Sequence, residues 1–129
     1  MLTCTLDISP RLTYPSRRID ALRGSVAVER GPLVYCFEQA DQPGGASVED
    51  LALGPGGLTE RDATLTGVGP TVVVQAEAAI LPPVSDGGLP YRGVPDAGAV
   101  GVPATAVAIP YFQWDNRDGG AMRVWMPQG

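Results

Sequence analysis

The chain has 129 residues and a mass of 13.4 kDa, the size of one domain with a single hydrophobic core. Hydrophobic residues make up 44% and charged residues 18%, proportions that exclude a disordered tail and a membrane-spanning segment. With no histidine and two cysteines it has no Ser-His-Asp triad, no Cys-His pair and no structural zinc site. The net charge of −5, with arginines scattered along the chain, argues against nucleic acid as a partner.

The first half of the sequence alternates between apolar and polar residues. Leu2 to Ile8 predicts a half-buried strand, and Gly24 begins a second strand with Val26 and Val28 on one face. The segment from Leu33 to Phe37 is apolar on both faces, which predicts a central strand. The Gly-Pro break that precedes this segment predicts a hairpin between the second and third strands.

The middle of the chain is richer in turn-forming residues. Ala40 to Gly57 predicts a long surface connection with one short apolar island at Val48 to Leu53. Thr59 to Asp62 fits a helical turn, but a polar loop is the favoured interpretation. Thr71 to Ile80 predicts a strand, and the Gly- and Pro-rich stretch from Pro82 to Pro103 predicts a long loop.

The last two predicted strands are Thr105 to Trp114 and Met122 to Met126, joined by a hairpin loop from Asn116 to Gly120. No segment of ten or more residues shows a convincing helical period. Several short strands separated by turns predict an all-β fold, specifically a β-sandwich of jelly-roll type with long Gly/Pro-rich loops.

The beginning of the chain and its two cysteines bear on location. Met1 to Ile8 has neither a basic region nor a long apolar region, so we expect no signal peptide, and a cytoplasmic location is slightly favoured. Cys4 and Cys36 both lie in apolar runs, which favours buried thiols over a disulfide.

Two groups of side chains are candidates for a functional role. Four aromatic residues lie close together near the C-terminal end: Tyr111, Phe112, Trp114 and Trp125. An exposed tryptophan among them could stack on a sugar ring or on a partner domain, but packing in the sheet core is the favoured interpretation. Candidates for paired carboxylates as in glycoside cleavage are Glu29, Glu38, Asp115 and Asp118, although a solvated surface position is the favoured interpretation. Candidates for a calcium site are Asp86, Asp96 and Asp115, but no dense run of acids supports it.

Two stretches together resemble a known family. The first, Arg23 to Glu38, reads RGSVAVERGPLVYCFE. The second, Ala108 to Arg117, reads AIPYFQWDNR and is followed by MRVWM at residues 122–126. In this order they resemble the C-terminal part of glycoside hydrolase family 127, a β-L-arabinofuranosidase-like family first classed as a domain of unknown function. Residues 41–103 carry no motif of that family.

The resemblance implies an architecture in which the chain is one part. Members of the family have an N-terminal (α/α)6 barrel followed by β-sandwich domains. Their catalysis is attributed to a glutamate acid/base and a cysteine nucleophile in a zinc site of one Glu and three Cys, all in the barrel. Cys36 belongs to a strand motif and takes no catalytic role. The resemblance therefore implies that residues 1–129 are a single β-sandwich domain excised from a larger protein, with no catalytic residue, metal site or cofactor of its own.

The leading hypothesis is an accessory domain that packs on the catalytic barrel or on a second subunit. The alternative is a carbohydrate-binding module, with Trp114, Trp125, Asn116 and Arg117 as candidate contacts. A free-standing carboxylate enzyme is a third and weaker hypothesis. We expect Asn116 to bond local backbone, Arg117 to pair with an acid, and apolar surface to be exposed where the barrel would sit.

Overall fold

The computed structural model describes residues 1–82, 90–91, 101–117 and 119–129. These residues contain strands and short 3-10 turns and no α-helix. The strands are β1 (Pro10–Thr13), β2 (Ser25–Arg30), β3 (Leu33–Glu38), β4 (Leu51–Leu65), β5 (Gly69–Ile80), β6 (Val102–Pro110), β7 (Met122–Arg123) and β8 (Met126–Pro127). The 3-10 turns are Asp20–Leu22, Gln39–Asp41, Pro43–Gly45, Val48–Asp50 and Tyr111–Gln113.

The strands form one antiparallel sheet in the order β1-β2-β3-β6-β5-β4, with β7 added to β3 and β8 added to β2. The sheet curls into a half-barrel whose open side is spanned by β8. Val26 of β2 is registered with Met126 of β8, and the Gly129 N–H donates to the Leu53 carbonyl of β4 at 2.9 Å. Residues 126–129 therefore connect β2, which is next to one margin of the sheet, with β4 at the other margin.

The main core lies on the inner face of the curled sheet. Its buried side chains are Val26, Val28, Tyr35, Phe37, Val48, Leu51, Leu53, Val74, Ala76, Ala78, Ala106, Ala108 and Met126. The Tyr35 hydroxyl crosses this interior and donates to the Val72 carbonyl at 2.8 Å, which satisfies its polar end. A second, smaller cluster of Cys36, Val73 and Ile109 lies outside the main core and packs against Met122 and Val124.

The hairpin between β2 and β3 confirms the pattern in the sequence. Arg30 pairs with Leu33 across a two-residue turn, and Gly31 has a φ of +55°. A positive φ at the first turn position suits the tight hairpin turns whose twist matches that of the sheet, and glycine adopts it without strain. Val26 and Val28 both face the main core, and β3 is buried on both faces from Tyr35 onward, as predicted.

The all-β prediction is confirmed, and the strand predicted at residues 71–80 is found within β5. The finer prediction of a jelly-roll sandwich stays a prediction, because the described strands join one curled sheet. The predicted loop from Pro82 to Pro103 falls largely on residues 83–89 and 92–100, outside the described residues. Its last two residues, Val102 and Pro103, begin β6.

The predicted loop character of residues 54–62 is wrong. These residues lie inside β4, which pairs with β5 along most of its length. The register shifts between Leu53 and Leu58, so the Gly-Pro-Gly-Gly segment between them is an irregularity in a strand and not a connection. A side chain on Gly56 would occupy the space that the Glu77 carboxylate takes. Thr59 to Asp62 accordingly forms neither the helical turn nor the polar loop.

The predicted first strand, Leu2 to Ile8, is also wrong for this chain. The segment carries the right alternation but forms no strand and is exposed throughout, and the sheet begins at Pro10. Cys4 is therefore exposed and not buried, whereas Cys36 is buried; both are free thiols.

The C-terminal strands differ from the prediction in their bounds and their partners. β6 ends at Pro110, and residues 111–113 form a 3-10 turn. The predicted strand at residues 122–126 is interrupted: residues 122–123 form β7 and residue 126 begins β8. β7 pairs with β3 at Phe37–Arg123, not with β6, so residues 116–120 are not the turn of a hairpin.

Candidate functional site

The segment of residues 111–117, called here the aromatic loop, leaves the sheet where β6 ends. The Trp114 N–H donates to the Tyr111 carbonyl at 3.0 Å and closes a single 3-10 turn. Asp115 follows with a φ of +64°, a conformation that costs energy for a residue with a side chain. The Asn116 amide then donates to the Gln113 carbonyl at 2.8 Å, so the loop is closed by its own polar groups.

A buried ion cluster fixes the end of the aromatic loop to β3. The Arg117 guanidinium donates to both carboxylate oxygens of Asp41 and, at 2.6 Å, to Oε2 of Glu38. The side-chain exposures are 14% for Arg117, 9% for Glu38 and 4% for Asp41. A bidentate arginine–carboxylate contact is among the stronger and more directional polar contacts in proteins. The cluster therefore fixes both the position and the orientation of the loop end.

Electrostatics within the cluster follow from two carboxylates around one cation. The hydrogen bonds from Arg117 to Asp41 and Glu38 raise the pKa of the guanidinium further above its usual value. Cys36 lies two residues before Glu38 on the same strand, and its burial, with the two nearby carboxylates, raises its pKa to about 12. The thiol therefore stays protonated at neutral pH and is a poor nucleophile.

The turn between β4 and β5 packs against the C-terminal end of the aromatic loop. A Cβ built on Gly67, whose φ is +80°, would lie 2.6 Å from the Asn116 carbonyl and 3.2 Å from Cγ of Arg117. Glycine is thus required there for both backbone conformation and space. A cleft of about 430 Å³ lies beside this contact, lined by Ala40, Thr66, Gly67, Asn116 and Arg117.

The aromatic side chains of the loop face outward. Tyr111 is 46% exposed, Phe112 is 67% exposed and Trp114 is 39% exposed. Tyr111 and Trp114 stack on each other, with ring centroids 5.9 Å apart and an interplanar angle of 30°. The prediction that these residues fill the sheet core is wrong, because the chain leaves the sheet at Pro110 before it reaches them.

Three of the four residues proposed from the sequence as sugar contacts belong to the aromatic loop: Trp114, Asn116 and Arg117. Trp125 lies in the separate connection between β7 and β8 and is half-buried. The expected structural roles of Asn116 and Arg117 are confirmed, since one bonds local backbone and the other pairs with acids.

The expectation of a solvated Glu38 is wrong, because the carboxylate is buried against Arg117. Sequence reasoning also missed Asp41, which it placed in a surface connection, and Gly67. Neither has a local signal, because each acts on residues that are more than 45 positions away in the sequence.

The carboxylates that the sequence proposed as candidates lie in different surroundings. Both carboxylates of the ion cluster are engaged by Arg117. Of the other candidates in the described residues, Glu29 forms an ion pair with Arg11 on β1 and Asp115 is exposed on the aromatic loop. Asp86, Asp96 and Asp118 lie outside the described residues. Within residues 1–82, 90–91, 101–117 and 119–129, no group of three or more acidic, cysteine or histidine side chains could hold a metal ion. In the same part of the chain, no helix has the length and hydropathy needed to cross a membrane.

Comparisons with known proteins point to one family of glycoside hydrolases. The family described as the glycoside hydrolase family 127 C-terminal domain matches residues 10–127. The non-reducing end β-L-arabinofuranosidase of Bifidobacterium longum subsp. longum is 35% identical over 123 residues, which is 93% of this chain and 18% of that protein.

Solved structures show the same relationship. A protein described as a glycoside hydrolase matches with a TM-score of 0.81 and 31% identity over 95% of this chain. A family 127 β-L-arabinofuranosidase from Geobacillus stearothermophilus T6 matches with a TM-score of 0.77 and 26% identity over 94% of this chain. The chain spans 20% and 18% of these two structures, about a fifth of their length.

Proposed function

The chain belongs to the glycoside hydrolase family 127 C-terminal domains, and from this membership we propose that it is a non-catalytic accessory domain of a longer β-L-arabinofuranosidase-like protein. The domain packs on the catalytic part of that protein, an (α/α)6 barrel, and the aromatic loop is the contact surface. The observation that carries the proposal is that three aromatic side chains project outward from a loop whose end is held in place by the buried Arg117–Glu38–Asp41 ion cluster.

The exposure of the loop supports a contact surface. Tyr111, Phe112 and Trp114 are consecutive or nearly so, and their exposed ring surface lies on one short turn. Aromatic side chains are enriched in protein interfaces because a rigid ring buries much apolar area at a small entropic cost. A cluster of three exposed rings is unusual on a surface that faces only water.

The rigidity of the loop supports the same role. A solvent loop does not need a buried Arg117 bridge, a residue with positive φ at Asp115 and a glycine-only contact at Gly67. Together these features hold the rings in one arrangement before a partner arrives. An arrangement that exists before binding reduces the entropy lost on association.

The pairing of Glu38 and Asp41 with Arg117 supports a structural role for these two carboxylates. Glycoside cleavage uses one protonated and one ionised carboxyl group on either side of the bond that breaks. Glu38 and Asp41 instead share a single arginine in a buried site, so each carboxylate is already bound to the same cation.

Hydrogen exchange tests the contact surface. Residues 111–117 should exchange at least about tenfold more slowly in the full-length gene product than in the 129-residue chain, because a docked loop opens less often. Equal exchange in the two proteins would contradict the proposal. Slower exchange that depends on protein concentration, with a doubled mass in sedimentation, would identify a second subunit as the partner.

Substitutions on the loop give a second measurement. Phe112→Ser should lower the melting temperature of the full-length protein while leaving that of the 129-residue chain unchanged. Tyr14→Ser is the matched control, because Tyr14 is similarly exposed but lies near β1. The 129-residue chain should also hydrolyse no aryl arabinofuranoside, and turnover that Glu38→Gln abolishes would overturn the non-catalytic role.

A second candidate function is carbohydrate binding at the same loop. It is favoured by one observation: Asn116 and Arg117 line the cleft beside Gly67, and the exposed Trp114 ring lies two residues before them. A ring next to polar groups is the usual composition of a sugar site. Titration of the 129-residue chain with arabino-oligosaccharides, followed by tryptophan fluorescence, should saturate if this function is present and should show no change if the loop only docks.

A further inference from the structure

The segment of residues 2–8 has the composition of a strand but pairs with no strand in the described part of the chain. Leu2, Cys4, Leu6 and Ile8 alternate with polar residues, which gives one apolar and one polar face. In the structure the segment forms no strand, and Leu2 and Leu6 are almost fully exposed. Apolar side chains in this pattern are normally buried on one face of a sheet.

The geometry of the sheet explains why the segment is unpaired. β1 is antiparallel to β2, and its first residue, Pro10, is registered with Arg30, the last residue of β2. The chain of β2 then turns back at Gly31, so residues before Ser9 extend past the tip of the hairpin. Apart from Ile8, which contacts Gly31 at the tip, they lie beside none of the described strands. Since none of the strands described within residues 10–82, 101–117 and 119–127 pairs with the segment, we look for its partner in the rest of a longer protein.

The extent of the family supplies the source of that partner. The family match begins at residue 10, which is also where the sheet begins. The related glycoside hydrolases are about five times as long as this chain. We propose that residues 2–8 form a strand at the edge of a sheet in the adjacent part of the longer protein, with Leu2, Cys4, Leu6 and Ile8 facing the core of that part.

This arrangement makes the segment a connection that is folded at both ends. One continuous stretch of chain serves the neighbouring sheet through residues 2–8 and its own sheet through β1. Ile8 already packs over Gly31 at the hairpin tip, since its Cγ2 lies 3.2 Å from where a Cβ on Gly31 would be. The neighbouring sheet would therefore lie close to the β2–β3 turn. The inference rests on the proposed function only in requiring a longer protein, and it concerns a different surface from the aromatic loop.

Peptide-resolved hydrogen exchange tests the inference. In the 129-residue chain residues 2–8 should exchange at the rate of an unstructured peptide, and in the full-length protein at least about tenfold more slowly. Fast exchange in both proteins would show a flexible tail and overturn the inference. Protection that is already present in the 129-residue chain, with a dimeric mass, would also overturn it, because the partner would be a second copy.

Two substitutions separate the apolar face from the polar face. Leu6→Asp should lower the melting temperature of the full-length protein, whereas Thr5→Asp, one residue away on the opposite face, should leave it nearly unchanged. Both should leave the 129-residue chain unaffected. Equal effects of the two variants on the full-length protein would contradict the assigned face. Peptides from residues 111–117 report the aromatic loop in the same exchange experiment, so either proposal can fail while the other stands.

Discussion

Removal of the Arg117 cation is expected to destabilise the described fold strongly. In Arg117→Met the Glu38 and Asp41 carboxylates stay in place, with side-chain exposures of only 9% and 4%, and lose their counter-charge. Breaking a buried ion pair in this way costs about 3–5 kcal/mol, because the remaining charge stays buried and unpaired. A domain of this size has a free energy of unfolding of about 5–15 kcal/mol, so a large share is lost. The melting temperature should fall by roughly 10 to 20 °C.

The matched control is Arg11→Met. Arg11 also contacts a carboxylate, Glu29, at 2.6 Å, but the two side chains are 50% and 27% exposed. An exposed pair contributes about 0.2–1 kcal/mol, so the control should lose no more than that. Urea unfolding followed by tryptophan fluorescence measures both variants, with the midpoint shifted and the slope unchanged if only stability changes.

Two results would refute this reasoning. One is a loss for Arg117→Met that is within about 1 kcal/mol of the loss for Arg11→Met, since burial would then make no difference. The other comes from a second substitution. If charge burial is the cause, adding Asp41→Asn to Arg117→Met should recover part of the stability, because one uncompensated charge disappears. No recovery would mean that lost packing, not charge, causes the effect.

Three further predictions concern the thiols and the β4–β5 turn. An aromatic disulfide reagent at pH 8 should label Cys4 rapidly and Cys36 only after denaturation; rapid labelling of both would contradict the assigned burial. Since burial raises the pKa of Cys36 from 9.0 to about 12, the folded state keeps a proton that the unfolded chain releases, and stability should fall as the pH rises through that range. Cys36→Ala should show a shallower decline there, and an identical decline would exclude the thiol as its source. Gly67→Ala should cost about 1–3 kcal/mol through strain and its clash with Asn116, whereas Gly57→Ala, with open space around it, should cost less than about 1 kcal/mol.

The parts of the fold that could be predicted are those set by neighbours in sequence. The β2–β3 hairpin was predictable because alternation and the Gly31–Pro32 turn lie within one short stretch. The roles of Asn116 and Arg117 were predictable in kind, because an asparagine in a turn finds local backbone and an arginine in an apolar setting needs an acid. Which acid it finds depends on the fold.

The errors arise where distant residues decide the outcome. The Gly-Pro-Gly-Gly segment of β4 has the composition of a loop, but pairing with β5 on both sides of it keeps it in the sheet. Residues 2–8 show the opposite case, since a sound strand pattern forms no strand where none of the described strands lies beside it. Tyr111 to Trp114 follows the apolar run of β6, but the sheet ends at Pro110. Contacts of the loop with residues far away in sequence, Asp41 and Gly67 among them, hold it away from the sheet.

The position of β8 constrains how the chain folds during synthesis. Val26 is registered with Met126, so two residues from opposite ends of the sequence must meet before the half-barrel is closed. A nascent chain that still holds the last strand inside the ribosome can form the β2–β3 and β4–β5 hairpins, but the inner face near Leu53 stays open to water. Such late, long-range closure is slow and leaves apolar surface available for aggregation. Closure of the half-barrel therefore depends on residues 126–129, and ribosome-stalled chains that end before residue 126 should be the ones that chaperones bind.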